Sequence, residues 1–196
     1  MTGASTTVKP EVPKAGTGQR VAIVAFAAIL VGVAVWGLTA CNRDGDPSSA
    51  AVGADPTDAR VVAADELAAL PDEVGHQVFW AGERSDTQIE FSHDGSGNTH
   101  LRYLTDGAEP GTPEQSFLNI GTYPFTGAYE ATRNLASRKG LVRITANGGV
   151  GFYDPANPYS VIIAWPEQPD LQVEVYDPEK NAALDVVRSG DIVPVS

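Results

Sequence analysis

The sequence predicts an α+β domain over residues 71–196, built on a single antiparallel sheet with two helices, Thr126–Gly140 and Asp177–Gly190, mainly on one face. Three observations lead there. Many short segments alternate apolar and polar residues with the period of two that belongs to half-buried strands. Turn-forming Gly, Asn, Asp and Pro punctuate them at short intervals. Two stretches switch to helical spacing, and each carries its own start and stop residues. Runs of strands with few helices give the α+β class rather than alternating βα units.

Taken in order, residues 1–20 hold Lys9, Lys14 and Arg20 against Glu11. The next 20 residues, VAIVAFAAILVGVAVWGLTA from Val21 to Ala40, contain neither charge nor proline. At about 1.5 Å per helical residue such a run spans roughly 30 Å, the thickness of a bilayer core. After Cys41 the chain carries 10 Lys and Arg against 24 Asp and Glu, a net of −14. Positive flanks stay inside. Residues 1–20 are therefore predicted cytoplasmic, 21–41 a membrane anchor or lipoprotein signal, and everything beyond extracytoplasmic at the cell membrane. An acidic exported domain without a basic stripe excludes nucleic acid as a partner, because that class depends on clustered Lys and Arg.

Cys41 is the sole cysteine, so the domain is predicted to fold without disulfides. Leu38-Thr39-Ala40-Cys41 resembles the bacterial lipobox, in which small residues precede a cysteine that is lipidated and becomes the first mature residue. Two readings stand: lipidation of Cys41, or an uncleaved transmembrane helix with an incidental thiol at its outer edge. Both tether the domain. Residues 42–70 read as a flexible stalk, NRDGDPSSAAVGADPTD having no aromatics and too few large apolar residues to pack. Within it Asp58–Leu70 has the pattern of a short helix, with Asp58 as N-cap, Val61, Val62, Ala64 and Leu67 apolar, and Pro71 just past the end.

Strands follow. TQIEFS points Ile89 and Phe91 one way, THLRYL does the same with Leu101 and Tyr103, and the two pair as a hairpin around HDGSGN. Further strands are predicted at HQVFW, SFLNIGTY, LVRIT, GVGFY, SVIIAW and LQVEV. In LQVEV, Gln172 and Glu174 face water; SVIIAW is apolar from Val161 to Trp165, as a central strand covered on both faces requires. Thr126 caps the first helix, where Ala128, Ala131 and Leu135 recur and Arg138, Lys139 and Gly140 close the end. Asp177 and Pro178 open the second, with Leu184 and Val187 on one face and Gly190 beyond its end.

Chemical motifs are few. Asp94, Ser96 and Asn98 match the first, third and fifth positions of a calcium loop, but Thr99 stands where that loop needs Gly and Thr105 where it needs a bidentate Glu. A Gly-rich hairpin turn explains them. His93 and His100 on the same hairpin read as exposed rather than metal-binding, and His76 has no partner near it in sequence. ANGGVG is followed by Phe152 and Tyr153 rather than a helix, so Asn147-Gly148 is a hairpin turn and not a phosphate loop. Ser92, His93 and Asp94 are strand neighbours that point to opposite faces and cannot form a relay. No cofactor or metal is predicted.

HQVFWAG, LRYL, FLNIGTYPF, GGVGFYDPANPYSVIIAWPEQPDLQVEVYDP and RSGDIVPV, in that order, resemble a group of uncharacterised actinobacterial exported or membrane-anchored proteins, over roughly Gly75 to Val195. The resemblance implies an envelope location and no particular activity. More weakly, the C-terminal pattern is similar to the end of some curved-sheet lipoprotein domains that bind partners or lipids. The function predicted is a membrane-tethered, noncatalytic binding or interaction module, monomeric, for an envelope protein or a small apolar ligand. A cell-envelope hydrolase is the alternative. Candidate binding residues are Trp80, Tyr123, Tyr153 and Trp165, on the sheet face away from the helices, with core packing as the competing role for each.

Overall fold

A computed structural model describes residues 57–196. Its elements are β1 (Thr57–Val62), a 3-10 turn (Leu67–Ala69), α1 (Leu70–Val74), β2 (Phe79–Trp80), β3 (Gln88–His93), β4 (Thr99–Leu104) and β5 (Asn119–Pro124). They continue with α2 (Ala128–Leu135), β6 (Val142–Ala146), β7 (Gly149–Tyr153), β8 (Ser160–Ala164), β9 (Leu171–Tyr176), α3 (Ala182–Ser189) and β10 (Val193–Pro194). Eight strands form one antiparallel sheet in the order β1-β3-β4-β5-β9-β8-β7-β6, and β2 pairs with β10 in a two-stranded ribbon. The α+β class holds, with a larger sheet and one more helix than the sequence suggested. Val21–Ala40 and Cys41 lie outside the described residues; within these, no helix is long and apolar enough to cross a membrane.

The strand register sorts every side chain to a face, because residues directly opposite in an antiparallel ladder share one. Ile89, Phe91, Leu101, Tyr103, Ile120, Val161, Ile163, Val173 and Val175 form one buried layer, on which Ala183, Leu184 and Val187 of α3 and Leu67, Leu70, Val78 and Phe79 pack. Val150, Phe152 and Ile162 point the other way and meet Tyr129, Leu135 and Ala136 at α2. The two longer helices thus lie on opposite faces, which corrects the expectation of one helical face. β8 shows why SVIIAW is apolar throughout: Val161 and Ile163 belong to the first layer and Ile162 to the second.

The helix expected over Asp58–Leu70 is a strand followed by a helical turn. Val62 opposite Ile89 joins the core, and Arg60 opposite Phe91 sets its guanidinium 4.9 Å over that ring. The spacing of Val61, Val62, Ala64 and Leu67 suits a helix, but ladder bonds to β3 outweigh this weak local preference. Pro71 opens α1 instead of closing a helix, the place where a missing N–H costs nothing. Arg60 also forms a paired hydrogen bond to Glu73, 3.1 and 2.6 Å, tying β1 to α1. The folded domain accordingly includes residues 57–70, part of the predicted stalk.

Both longer helices are shorter than their sequence signals. Thr126 makes no cap bond to α2; instead Asp170, from the β8–β9 turn, accepts from the Gly127 N–H at 2.7 Å. A carboxylate there satisfies an orphan donor and complements the helix dipole, contributing about 1 kcal/mol. Asp177 accepts from the Glu179 N–H at 2.8 Å in a turn ahead of α3, which starts only after Asn181. Gly190 stands just beyond the end of α3, where the sequence placed it, and caps the helix in the left-handed conformation.

Candidate functional site

The α2 face is only partly roofed. At one side α2 covers β7, β8 and β9. At the other, the loop 105–118 is pinned to the sheet by a buried ion pair: Arg102 Nε lies 2.7 Å from Glu90 Oε1, Glu90 Oε2 accepts from the Gly111 N–H at 2.7 Å, and Arg102 donates to the Thr112 carbonyl at 2.9 Å. Between the two covers runs a strip of outward positions on β4, β5 and β9. Register places His100 opposite Gly121, and Gly121 opposite Glu174, in one line across three strands.

Gly121 makes this line possible. A Cβ there would meet Tyr123 Oη at 2.6 Å, so the glycine leaves room for the tyrosine ring to lie back along its own strand. The ring meets His100 edge-on, centroids 5.8 Å apart and planes at 82°, and the hydroxyl donates to Glu174 Oε2 at 3.2 Å. Asn119 Nδ2 and His100 Nδ1 are 3.3 Å apart, while Asn119 Oδ1 is buried with no partner among the described residues. Burial pushes the His100 pKa down, against the opposing pull of Glu174, Asn119 and Asp94. Burial and the neighbouring Glu174 carboxylate raise that of the Tyr123 hydroxyl. Near neutrality the strip therefore presents an uncharged imidazole, a phenol, an amide and one carboxylate.

The depressed His100 pKa has a signed consequence. The unfolded chain takes up a proton near the ordinary histidine value of about 6.5, whereas the folded chain resists it. Stability is thus intact above about pH 6.5 and falls as pH drops toward the lower folded value. His100→Gln should flatten this decline, read as the difference in urea midpoint between mildly alkaline and mildly acidic buffer. An unchanged slope would place the imidazole in water.

The four aromatic candidates are not brought together. Trp165 stacks on Phe79, centroids 4.9 Å apart and planes 6° apart, and is 8% exposed in the α3-side core. Trp80 and Tyr153 pack partly buried against the same core. Tyr123 alone stands on the strip. Glu174 was legible as an outward strand position, Asn119 was not singled out, and His100, expected to be exposed, is half-buried. His93 points to the α3 face and His100 to the other, since their cross-strand partners are Thr99 and Ser92. Asp94 holds its own turn together, accepting from Ser96 N at 2.8 Å, Asn98 N at 3.0 Å and Asn98 Nδ2 at 2.8 Å. No group of three or more metal-binding side chains occurs among the described residues. Two surface depressions, one of about 300 Å³ lined by Asp86, Gln88, Leu104 and Asp106 and one of about 340 Å³ beside Arg84 and Asp191, are open and lie off the strip. Comparison with family models, curated proteins and solved structures gives no match for this chain.

Proposed function

We propose that the protein is a membrane-tethered, extracytoplasmic and noncatalytic binding module, held by residues 21–41, that docks an envelope protein on the strip of His100, Asn119, Tyr123 and Glu174. The observation that carries this reading is the strip itself: half-buried polar groups that the register of β4, β5 and β9 sets side by side, with Tyr123 bonded to Glu174. All four side chains are partly exposed, and polar groups gathered in this way favour a partner surface that supplies complementary hydrogen bonds. The two depressions described above are open, which favours a protein over a small apolar ligand. The net charge of −14 after Cys41 favours a basic partner surface.

The hydrolase alternative has one observation in its favour, that Ser92 lies directly opposite His100. Against it, Ser92 is 5% exposed, and the nearest carboxylate on the line, Glu174, is engaged by Tyr123. A photoreactive phenylalanine analogue at position 123 of the full-length protein should give a discrete cross-linked partner in intact cells. The same label at exposed Arg143 should not, and Glu174→Gln should abolish the product. Ester hydrolysis lost in Ser92→Ala would decide for the hydrolase. The tether is read separately: Cys41→Ser should abolish fatty-acid labelling, and an unlabelled wild type leaves the uncleaved helix.

A further inference from the structure

We propose that Asn147 is a site of spontaneous deamidation, and that its modification undoes the junction between the β6–β7 hairpin and α3. Asn147-Gly148 is the sole Asn-Gly pair in the chain. Both residues are exposed at the hairpin tip, with φ of 47° and 79°, the pair of positive angles that a two-residue turn of this hand demands. A following glycine, lacking a Cβ, leaves the backbone nitrogen least hindered. The Gly148 amide nitrogen attacks Asn147 Cγ; a new N–Cγ bond forms, the Cγ–Nδ2 bond breaks, and ammonia leaves with the Gly148 proton. Water then opens the resulting five-membered imide at either carbonyl, giving aspartate or isoaspartate. No oxidant, reductant or enzyme enters.

The position matters because of what the amide holds. Asn147 Nδ2 donates to the Gly190 carbonyl at 2.9 Å, and Gly190 is the left-handed cap that ends α3. The packing is close: a Cβ on Gly190 would come within 3.0 Å of Asn147 Oδ1. Deamidation replaces this donor with a carboxylate that faces a carbonyl oxygen at the negative end of α3, next to Asp191. The isoaspartate product also adds a methylene to the backbone of a turn whose geometry allows two residues. In the intact domain the bond to Gly190 restrains the amide, so the reaction runs faster once the tip opens.

Purified full-length protein held in mildly alkaline buffer and mapped by peptide mass should gain about one mass unit, confined to the peptide with Asn147. Isoaspartate should appear there, faster in urea than under native conditions. Asn147→Asp should melt a few degrees below wild type. Absence of the mass gain, or its equal spread over Asn98, Asn157 and Asn181, would overturn the site. An Asn147→Asp protein as stable as wild type would overturn the consequence.

Discussion

Gly151→Ala, a single added methyl group, should cost at least about 3 kcal/mol, the upper end of the usual range for overpacking a core. Gly151 lies in the middle of β7, opposite Ile144 on β6 and Ile163 on β8. A Cβ there would enter the envelope of the Ile162 carbonyl oxygen, with Ile163 Cβ at 3.1 Å and Ile144 Cγ1 at 3.2 Å. A side chain can turn aside, but a ladder carbonyl cannot without parting β7 from β8. Domain stability is only about 5–15 kcal/mol, so a large fraction is at stake. Gly95→Ala is the control: nothing lies within 4 Å of its Cβ position and its φ is not positive, so its change should stay within about 0.5 kcal/mol. Urea denaturation of both variants checks the pair. Equal midpoints would mean that the close approach at Gly151 does not exist.

That glycine shows where sequence reasoning stops. GVGFY reads as a strand because Val150 and Phe152 alternate with smaller residues, and Asn147-Gly148 announces its turn. Both readings are local, and both hold: Val142–Ala146 and Gly149–Tyr153 pair directly across that turn. Which face carries α3, and hence why positions 149 and 151 must be glycine, depends on pairing between β7 and β8. The same limit separates the two helices. Ala128, Thr132 and Leu135 mark one buried stripe on α2, and Ala183, Leu184 and Val187 another on α3. A stripe says that a helix packs, not on which side of a sheet. The connection from β5 over one face to the far edge at β6 decides it, with the chain returning through β7 and β8 so that β9 lands beside β5.

The strip was illegible for a related reason. His100 and Glu174 are each an ordinary outward residue in an alternating strand, and nothing near either one in the chain sets them on one line. Only the register of β4 on β5 and β5 on β9 does, with Gly121 as the gap between them. Aromatic residues carry large area, and in this domain most of it goes to the core: Trp165 stacks on Phe79, and the Tyr103 hydroxyl accepts from Ala81 N at 2.7 Å.

Glu90→Ala should be the other severe substitution, and it bears on function as well as stability. The Glu90 side chain is 3% exposed and that of Arg102 17%, and they meet at 2.7 and 3.1 Å. Removing one partner of a buried pair strands the other charge, at a cost of about 3–5 kcal/mol. The Gly111 N–H loses its acceptor too, so the loop 105–118 should come loose first. Amide exchange at Gly111 should then speed up more than at Ile163, deep in the central sheet. The double variant Glu90→Leu/Arg102→Leu should recover part of the loss, since no charge is left buried, but not the loop, because Arg102 also donates to the Thr112 carbonyl. Unfolding midpoints and exchange rates for the single and double variants form the test. The loop borders the strip, so cross-linking from position 123 should change in the double variant even where its stability is largely restored. A Glu90→Ala protein within about 1 kcal/mol of wild type would mean that the pair is solvated and the loop is held by other contacts.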